Sequence, residues 1–188
     1  MKKSGLVALV IVLAIVAVLG IGFVSVSNSI IRSEEEVNVS WAEVQNQFQR
    51  RYDLIPNLVE TVKGYAAHEE EVFTAIADAR AKLGGAQTVP ETAEAVNAVE
   101  GALSRLLLVV ENYPELKADA SFRDLTYELT GTENRIAVAR QRYNTSVQSY
   151  NVKIRTFPNS IVAGMRGAVP KDMFEAQTGA SVAPEVKF

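Results

Sequence analysis

The sequence predicts an all-α fold, in which an N-terminal transmembrane helix leads into a long antiparallel bundle of three to four helices with coiled-coil-like packing. An uncharged apolar run near the N-terminus predicts the first part, and apolar residues recurring at seven-residue steps predict the second. We divide the chain into a transmembrane anchor over residues 1–31, a helical bundle over 32–158, and a short helix with a flexible tail over 159–188.

The predicted anchor is the run LVALVIVLAIVAVLGIGFV, residues 6–24. About 20 apolar residues suffice to cross a bilayer as a helix. A cleavable signal peptide is the alternative, with Ser25-Val26-Ser27 as its cleavage site. Lys2 and Lys3 precede the run and three glutamates follow at 34–36. The positive-inside rule therefore predicts a single-pass protein of the plasma membrane with a cytoplasmic N-terminus.

The composition argues against several kinds of site. The chain has no cysteine, one histidine and a net charge of −3. Disulfides and thiol chemistry are therefore excluded, and no basic stripe with aromatic residues points to nucleic acid. No nucleophile–base pair or phosphate-binding loop is evident. We expect no enzymatic activity, no cofactor and no metal site.

Seven-residue steps place the helices. Rows that start at Trp41 and Val44 are interrupted only by Glu69 and Arg51, which predicts one helix over residues 37–83. A second helix is expected over 90–112, capped near Thr88. A third helix, closed by Pro158, follows the row Phe122, Leu129, Ile136, Tyr143, Tyr150 and Phe157.

The first predicted helix would be about 70 Å long at ~1.5 Å per residue, whereas the second returns over half that length. An apolar stripe over residues 41–58 is then left for another element to cover. Either the third helix covers it or a second protomer does. We hypothesise self-association into a homo-oligomer.

Two charged features lie in the stretch RRYDLIPNLVETVKGYAAHE, residues 50–69. Arg51 falls on the apolar seam, as a partner-docking contact, an intrachain ion pair or a rim arginine. Pro56 predicts a kink, or a restart capped by Asp53. His68 has no second histidine to complete a carboxylate-bridged metal site. Glu69 is expected to pair with Arg135 or Arg140.

A polar face recurs later in the chain, in LTYELTGTENRIAVARQRYN, residues 125–144. Thr126, Thr130 and Asn134 are spaced four residues apart, and Gly131 permits close approach of another backbone. This face is either a polar groove for a peptide or partner, or a hydrogen-bonded contact between helices.

These two stretches, with YNVKIRTFPNSIVAG behind them, resemble the LemA family of bacterial membrane proteins over residues 28–174. The resemblance implies an N-terminal transmembrane helix, a helical-bundle domain and no established enzymatic activity. Relatives are linked to cell-envelope physiology, and one branch to intracellular membrane organelles. The family's Gly-Phe pair after the Phe-Pro motif is replaced here by Met165-Arg166-Gly167-Ala168.

The predicted function is a membrane-anchored scaffold or assembly protein of the bacterial cell envelope, with its bundle in the periplasm or on the extracytoplasmic face. It would act through self-association and contacts with an envelope protein partner. The alternative is a peptide- or protein-binding adaptor in envelope quality control. The candidate interaction or structural residues are Trp41, Phe48, Arg51, Asp53, Pro56, Asn57, Glu133, Asn134, Arg135 and Tyr143.

Overall fold

The structure is a computed structural model that describes residues 2–174, with side chains from residue 5 onward. Within these residues it is helical and contains no strand, as the sequence predicted. The predicted tail beyond Phe174 lies outside the described residues. The helices are α1 Lys2–Lys63, α2 Glu70–Gly85, α3 Val89–Val110, α4 Pro114–Ala118, α5 Ala120–Arg155 and α6 Asn159–Arg166.

The chain forms two compact units. Within the described residues, the N-terminal unit combines residues 2–41 with residues 145–171, and the bundle unit combines residues 42–144 with residues 172–174. Helices α1 and α5 each contribute to both units.

The bundle unit packs four helical segments around one apolar core. Residues 42–63 of α1 meet α2, α3 and residues 120–144 of α5, and neighbouring helices in the chain are joined by tight connections. Helix α3 begins with the predicted cap, since Thr88 accepts from the Glu91 N–H and the Glu91 carboxylate accepts from the Thr88 N–H. The core contains Ile55, Leu58, Val62, Ile76, Ala79, Val99, Leu103, Leu106, Val110, Leu116 and Phe122.

The prediction of one helix over residues 37–83 is wrong, because the chain turns between Lys63 and Glu70. The Tyr65 and Ala66 N–H groups both donate to the Val62 carbonyl, which ends α1 in a tight turn. Helix α2 then returns beside α1, so that the Cβ position of Gly84 lies 3.6 Å from the Tyr52 ring. The seven-residue rows persist across the turn because both helices face the same core.

The apolar stripe over residues 41–58 is covered within the chain. Val44 is fully buried and Phe48 is 5% exposed. The Phe48 ring contacts the Arg140 guanidinium on α5 and the Phe174 ring beyond α6. The first of the two alternatives, coverage by α5, therefore holds for the buried residues of this stripe.

Pro56 lies inside α1, and the helix continues through it to Lys63. The alternative, a restart of the helix capped by Asp53, does not occur. The apolar row keeps its phase on both sides of the proline, since Ile55 and Val62 are both buried.

The N-terminal unit packs the end of α5 and all of α6 against α1. Buried positions on α1 recur every three or four residues and alternate small polar with apolar side chains: Ser27, Ile30, Ser33, Val37 and Ser40. Val147, Tyr150 and Ile154 of α5 and Val162 and Ala163 of α6 are buried on the other side. Lys153 Nζ donates to the Ser33 hydroxyl, and Arg166 Nη1 donates to the Ser27 hydroxyl at 2.7 Å.

The apolar run at the start of α1 is long and apolar enough to cross a membrane, by length and composition, a test that a signal sequence also meets. Its large side chains, from Leu6 to Val24, are between 40% and 72% exposed. The run therefore suggests a membrane anchor.

The predicted row on α5 fails at its last member. Phe122, Ile136, Tyr143 and Tyr150 are buried, whereas Phe157 is 81% exposed. Helix α5 ends at Arg155, so Phe157 no longer follows the helical phase. The short helix expected after Pro158 is α6, and Gly167 ends it in the left-handed conformation at φ 67°.

Candidate functional site

Arg51 lies at the centre of a buried charge cluster that joins three helices of the bundle unit. Its Nη1 donates to Glu133 on α5 and lies 3.7 Å from Glu100 Oε1 on α3. Arg140 lies about two helical turns beyond Glu133 on α5. Its Nη2 is 3.7 Å from the same Glu100 oxygen. Two arginines therefore face two glutamates with a formal charge of zero. The intrachain ion pair is the interpretation of Arg51 that the structure bears out.

Burial governs the second arginine of the cluster. Removal from water lowers the pKa of Arg140, while Glu100 and Glu133 oppose that change. Its guanidinium also lies 5.5 Å from the ring centres of both Phe48 and Phe174. Cation–π contacts of this kind partly replace the lost hydration. Arg140 thus links the charge cluster to an aromatic layer.

Three members of the charge cluster, Arg51, Glu100 and Glu133, line an open groove of about 330 Å³ between α1, α3 and α5. Its apolar walls are Leu58, Leu103, Leu107 and Leu129. Ser104 and Thr130 lie exposed at its rim, so the groove opens to solvent. Leucine walls around a few fixed polar groups are typical of a site that receives an apolar side chain.

The polar face predicted on α5 contributes two of its three members to this groove. Thr126 and Thr130 both line it, and the Thr130 hydroxyl donates to the Thr126 carbonyl. Thr126 Oγ1 is buried and has no hydrogen-bond partner among the described residues. Asn134 is exposed and does not line the groove. The nearest atom to the Gly131 Cβ position is Arg135 Nη2 at 3.4 Å, not another backbone.

An aromatic layer formed by Phe48, Tyr143 and Phe174 contains the last described residue of the segment that follows α6. The Tyr143 hydroxyl donates to the Asp172 carbonyl, and the Tyr143 ring lies 5.6 Å from the Phe174 ring. Asn144 exchanges two hydrogen bonds of 2.9 Å with the Phe174 backbone. Burial raises the pKa of Tyr143, with Asp172 adding to the effect. The segment up to Phe174 is therefore fixed to the bundle unit.

The other candidate residues have local roles. Asp53 is exposed and accepts from Gln49 Nε2 at 2.8 Å, and the Asn57 carbonyl accepts from the Thr61 hydroxyl. Trp41 is half-buried, and Arg135 is exposed. None of these four lines the groove.

Glu69 does not pair with Arg135 or Arg140, because it lies in the turn that follows α1. It accepts from the Tyr113 hydroxyl at 3.2 Å, which raises the pKa of Tyr113. His68 is exposed in the same turn. Among the described residues no three histidine or carboxylate side chains form a cluster able to hold a metal ion.

Sequence reasoning missed Glu100 and Leu107. Glu100 is the one charged residue between Val96 and Leu103 on the apolar side of α3, and that isolation was the available signal. Leu107 lies in an apolar run, and the sequence does not reveal that it is 45% exposed at the groove.

Comparison with known proteins places this fold in a family. A family model described as the LemA family matches residues 40–188. The chain belongs to the LemA family. The match contains every residue of the charge cluster and of the groove, and it begins after the apolar run of α1. The cluster and groove are thus features of this chain's LemA region.

This LemA-family chain is similar to three curated proteins among others. Protein LemA of Metamycoplasma hominis is 28% identical over 145 residues, which are 75% of this chain and 65% of that protein. Magnetosome protein MamQ 2 of Paramagnetospirillum magneticum is 25% identical over 174 residues, covering 79% of this chain and 64% of the relative. Magnetosome protein MamQ of Magnetospirillum gryphiswaldense is 26% identical over 166 residues, covering 74% and 61%. The chain therefore spans less than two thirds of the length of each.

Proposed function

We propose that this LemA-family chain is a membrane-anchored, non-catalytic assembly protein of the bacterial cell envelope, and that two copies associate through the groove of the bundle unit. The apolar run of α1 anchors the protein in the plasma membrane, and its charge pattern orients the bundle to the extracytoplasmic side. The occupant of the groove is a second copy of the chain.

A self-complementary surface carries this proposal. The groove has leucine walls, and one of these leucines, Leu107, is also exposed at the edge of the groove. Leu108 and Tyr127, which follow the groove residues Leu107 and Thr126 in the sequence, are 66% and 82% exposed. A two-fold axis through this face would place the Leu107 side chain of each protomer in the groove of the other. Two-fold interfaces are built in this way, with one patch used twice.

The polar groups of the groove support the same arrangement. Arg51 and Glu133 neutralise each other, so an apolar side chain entering the groove meets no unpaired formal charge. The groove therefore favours an apolar anchor.

Disulfide trapping tests the proposal. Because the chain has no cysteine, any disulfide must form between cysteines that are introduced. Ser104→Cys at the groove rim should form a covalent dimer on mild oxidation of the full-length protein in detergent. Ala137→Cys is the matched control, since Ala137 is exposed on α5 and does not line the groove. Equal cross-linking at both positions, or none at Ser104→Cys, would overturn the assignment of the interface.

The full-length protein in detergent also distinguishes the alternative adaptor function from self-association. A full-length protein that is monomeric in detergent, and that binds one stoichiometric envelope protein through Leu107, would replace self-association with partner binding. Loss of that binding in Leu107→Asp, with retention in the equally exposed control Val138→Asp, would assign the groove to the partner.

A further inference from the structure

The corner between α5 and α6 carries an exposed apolar patch in the N-terminal unit. Phe157 is 81% exposed, Ile161 58% and Met165 72%. The three residues follow one another at four-residue steps, so that Ile161 and Met165 lie one turn apart on the outer face of α6. We name Phe157, Ile161 and Met165 the corner patch. Contiguous apolar surface of this kind marks an interaction site.

The opposite face of α6 is buried. Val162 and Ala163 are 7% and 2% exposed, and they pack inward within the N-terminal unit. Helix α6 therefore satisfies its core with one face and presents large apolar side chains on the other. Coverage of the corner patch has to come from outside the described chain.

Hydrogen bonds place α6 next to the apolar run of α1. Lys153 Nζ on α5 donates to Ser33 and to the Ser29 carbonyl, and Arg166 on α6 donates to Ser27 at 2.7 Å. From Lys153 to Arg166, the contacts thus move along α1 toward the apolar run that ends at Val24. Ser27 lies only about 4.5 Å beyond Val24 at ~1.5 Å per residue.

The distance from Val24 to Ser27 is within the thickness of the headgroup region of a bilayer. The apolar core of a membrane is ~30 Å thick, and the headgroup regions add about 5–8 Å on each side. If the run from Leu6 to Val24 fills the core, then α6 lies at the headgroup level on the side where α1 leaves the membrane. The exposed cations Arg155 and Arg166 flank the corner patch, as suits lipid phosphates.

We propose that the corner between α5 and α6 is a second membrane contact, in which Phe157, Ile161 and Met165 insert into the interface of the leaflet that α1 leaves. Helix α6 lies along the membrane surface with its corner patch toward the acyl chains, and Arg155 and Arg166 remain among the headgroups. The N-terminal unit is then held to the bilayer at two points. This inference rests on the proposed membrane anchor.

Lipid-depth quenching of single labels tests the insertion. The full-length protein, which has no native cysteine, is labelled with one environment-sensitive fluorophore at a single introduced cysteine and reconstituted into vesicles of phosphatidylcholine and phosphatidylglycerol. Ile161→Cys and Met165→Cys probe the corner patch, and Leu13→Cys probes the anchor. Val39→Cys is the matched control, since Val39 is 63% exposed and lies about 22 Å beyond Val24 on α1.

Lipids brominated near the glycerol end of the acyl chain should quench both corner labels about twofold more than the Val39→Cys label, with a blue-shifted emission. Lipids brominated near the chain end should quench the Leu13→Cys label. Quenching at Leu13→Cys together with corner labels that behave like Val39→Cys would overturn the second contact and leave the anchor intact. An unquenched Leu13→Cys label would overturn the anchor itself.

A second measurement tests whether the apolar character of the corner patch drives the insertion. Met165→Asp should abolish the quenching of an Ile161→Cys label in the same protein, because a carboxylate one turn away opposes insertion. Val39→Asp should leave it unchanged. Equal quenching in the two variants would contradict the proposal.

Discussion

Arg51 and Glu133 form an ion pair that joins α1 to α5 across 82 residues of sequence. The Arg51 side chain is 8% exposed, and Glu133 is 43% exposed at the edge of the groove. The pair adds a directional contact between these two helices, which are also joined by the ion pairs Arg50–Glu128 and Arg142–Glu43. It also neutralises charges that line the groove, which is a condition for apolar docking there.

Glu133→Gln should destabilise the bundle by about 1–3 kcal/mol, because Arg51 is left buried with only the more distant Glu100 as a charged partner. The measurement is the free energy of unfolding of the full-length protein in detergent, followed by circular dichroism. Glu128→Gln is the control, since Glu128 pairs with Arg50 at 3.9 Å on the exposed surface. Equal effects of the two substitutions would show that burial of the Arg51 pair contributes nothing.

Phe174→Ala should lower stability by about 3–5 kcal/mol, as expected for truncation of a buried aromatic side chain. Phe174 is 7% exposed and packs against Phe48, Tyr143 and the Arg140 guanidinium. Met173→Ala is the neighbouring control, because Met173 is 39% exposed. A change no larger than that of the control would mean that the segment after α6 is not part of the bundle's core.

Glu91 should make the start of α3 sensitive to acid. The N–H groups of Gln87 and Thr88 donate to its carboxylate and hold its pKa below the ordinary value of 4.5. Because the folded pKa is lowered, the stabilisation is present above the unfolded pKa and is lost as the pH falls through the folded pKa.

Wild-type protein should therefore lose stability relative to Glu91→Gln as the pH is lowered through 4.5 and below. Glutamine keeps an acceptor at this position but does not titrate. The measurement is the difference in melting temperature between the two proteins as a function of pH, with Glu94→Gln as the comparison further along α3. A difference independent of pH would contradict a capping role for the carboxylate.

Local sequence signals predicted the helix type, the Thr88 cap and the end of α5, since each depends on neighbouring residues. The turn between α1 and α2 escaped prediction because apolar residues at seven-residue steps occur on both sides of it. Apolar residues at seven-residue steps are expected both in one long helix and in two successive helices that face the same core. Gly64 and the exposed Ala67 and His68 were the weak signals of the turn.

For the candidate site, the sequence predicted only features that lie within a single helix. The spacing of Thr126 and Thr130 indicated a polar face on α5, and the seam position of Arg51 indicated a buried charge. Their common groove required knowledge of which helices are neighbours, and so did the pairing of Arg51 with Glu133 and Glu100. The sequence left open whether the third helix or a second protomer covers the stripe over residues 41–58, because the position of α5 beside α1 depends on tertiary packing.

The oligomeric mass of the full-length protein in detergent tests the central claim most directly. Wild-type protein should be dimeric or larger by sedimentation equilibrium, and Leu107→Asp should weaken the association at least about tenfold by placing a carboxylate in an apolar groove. Val138→Asp, at 47% exposure against 45% for Leu107, should associate as the wild type does. A monomeric wild type, or equal association of the two variants, would contradict assembly through the groove.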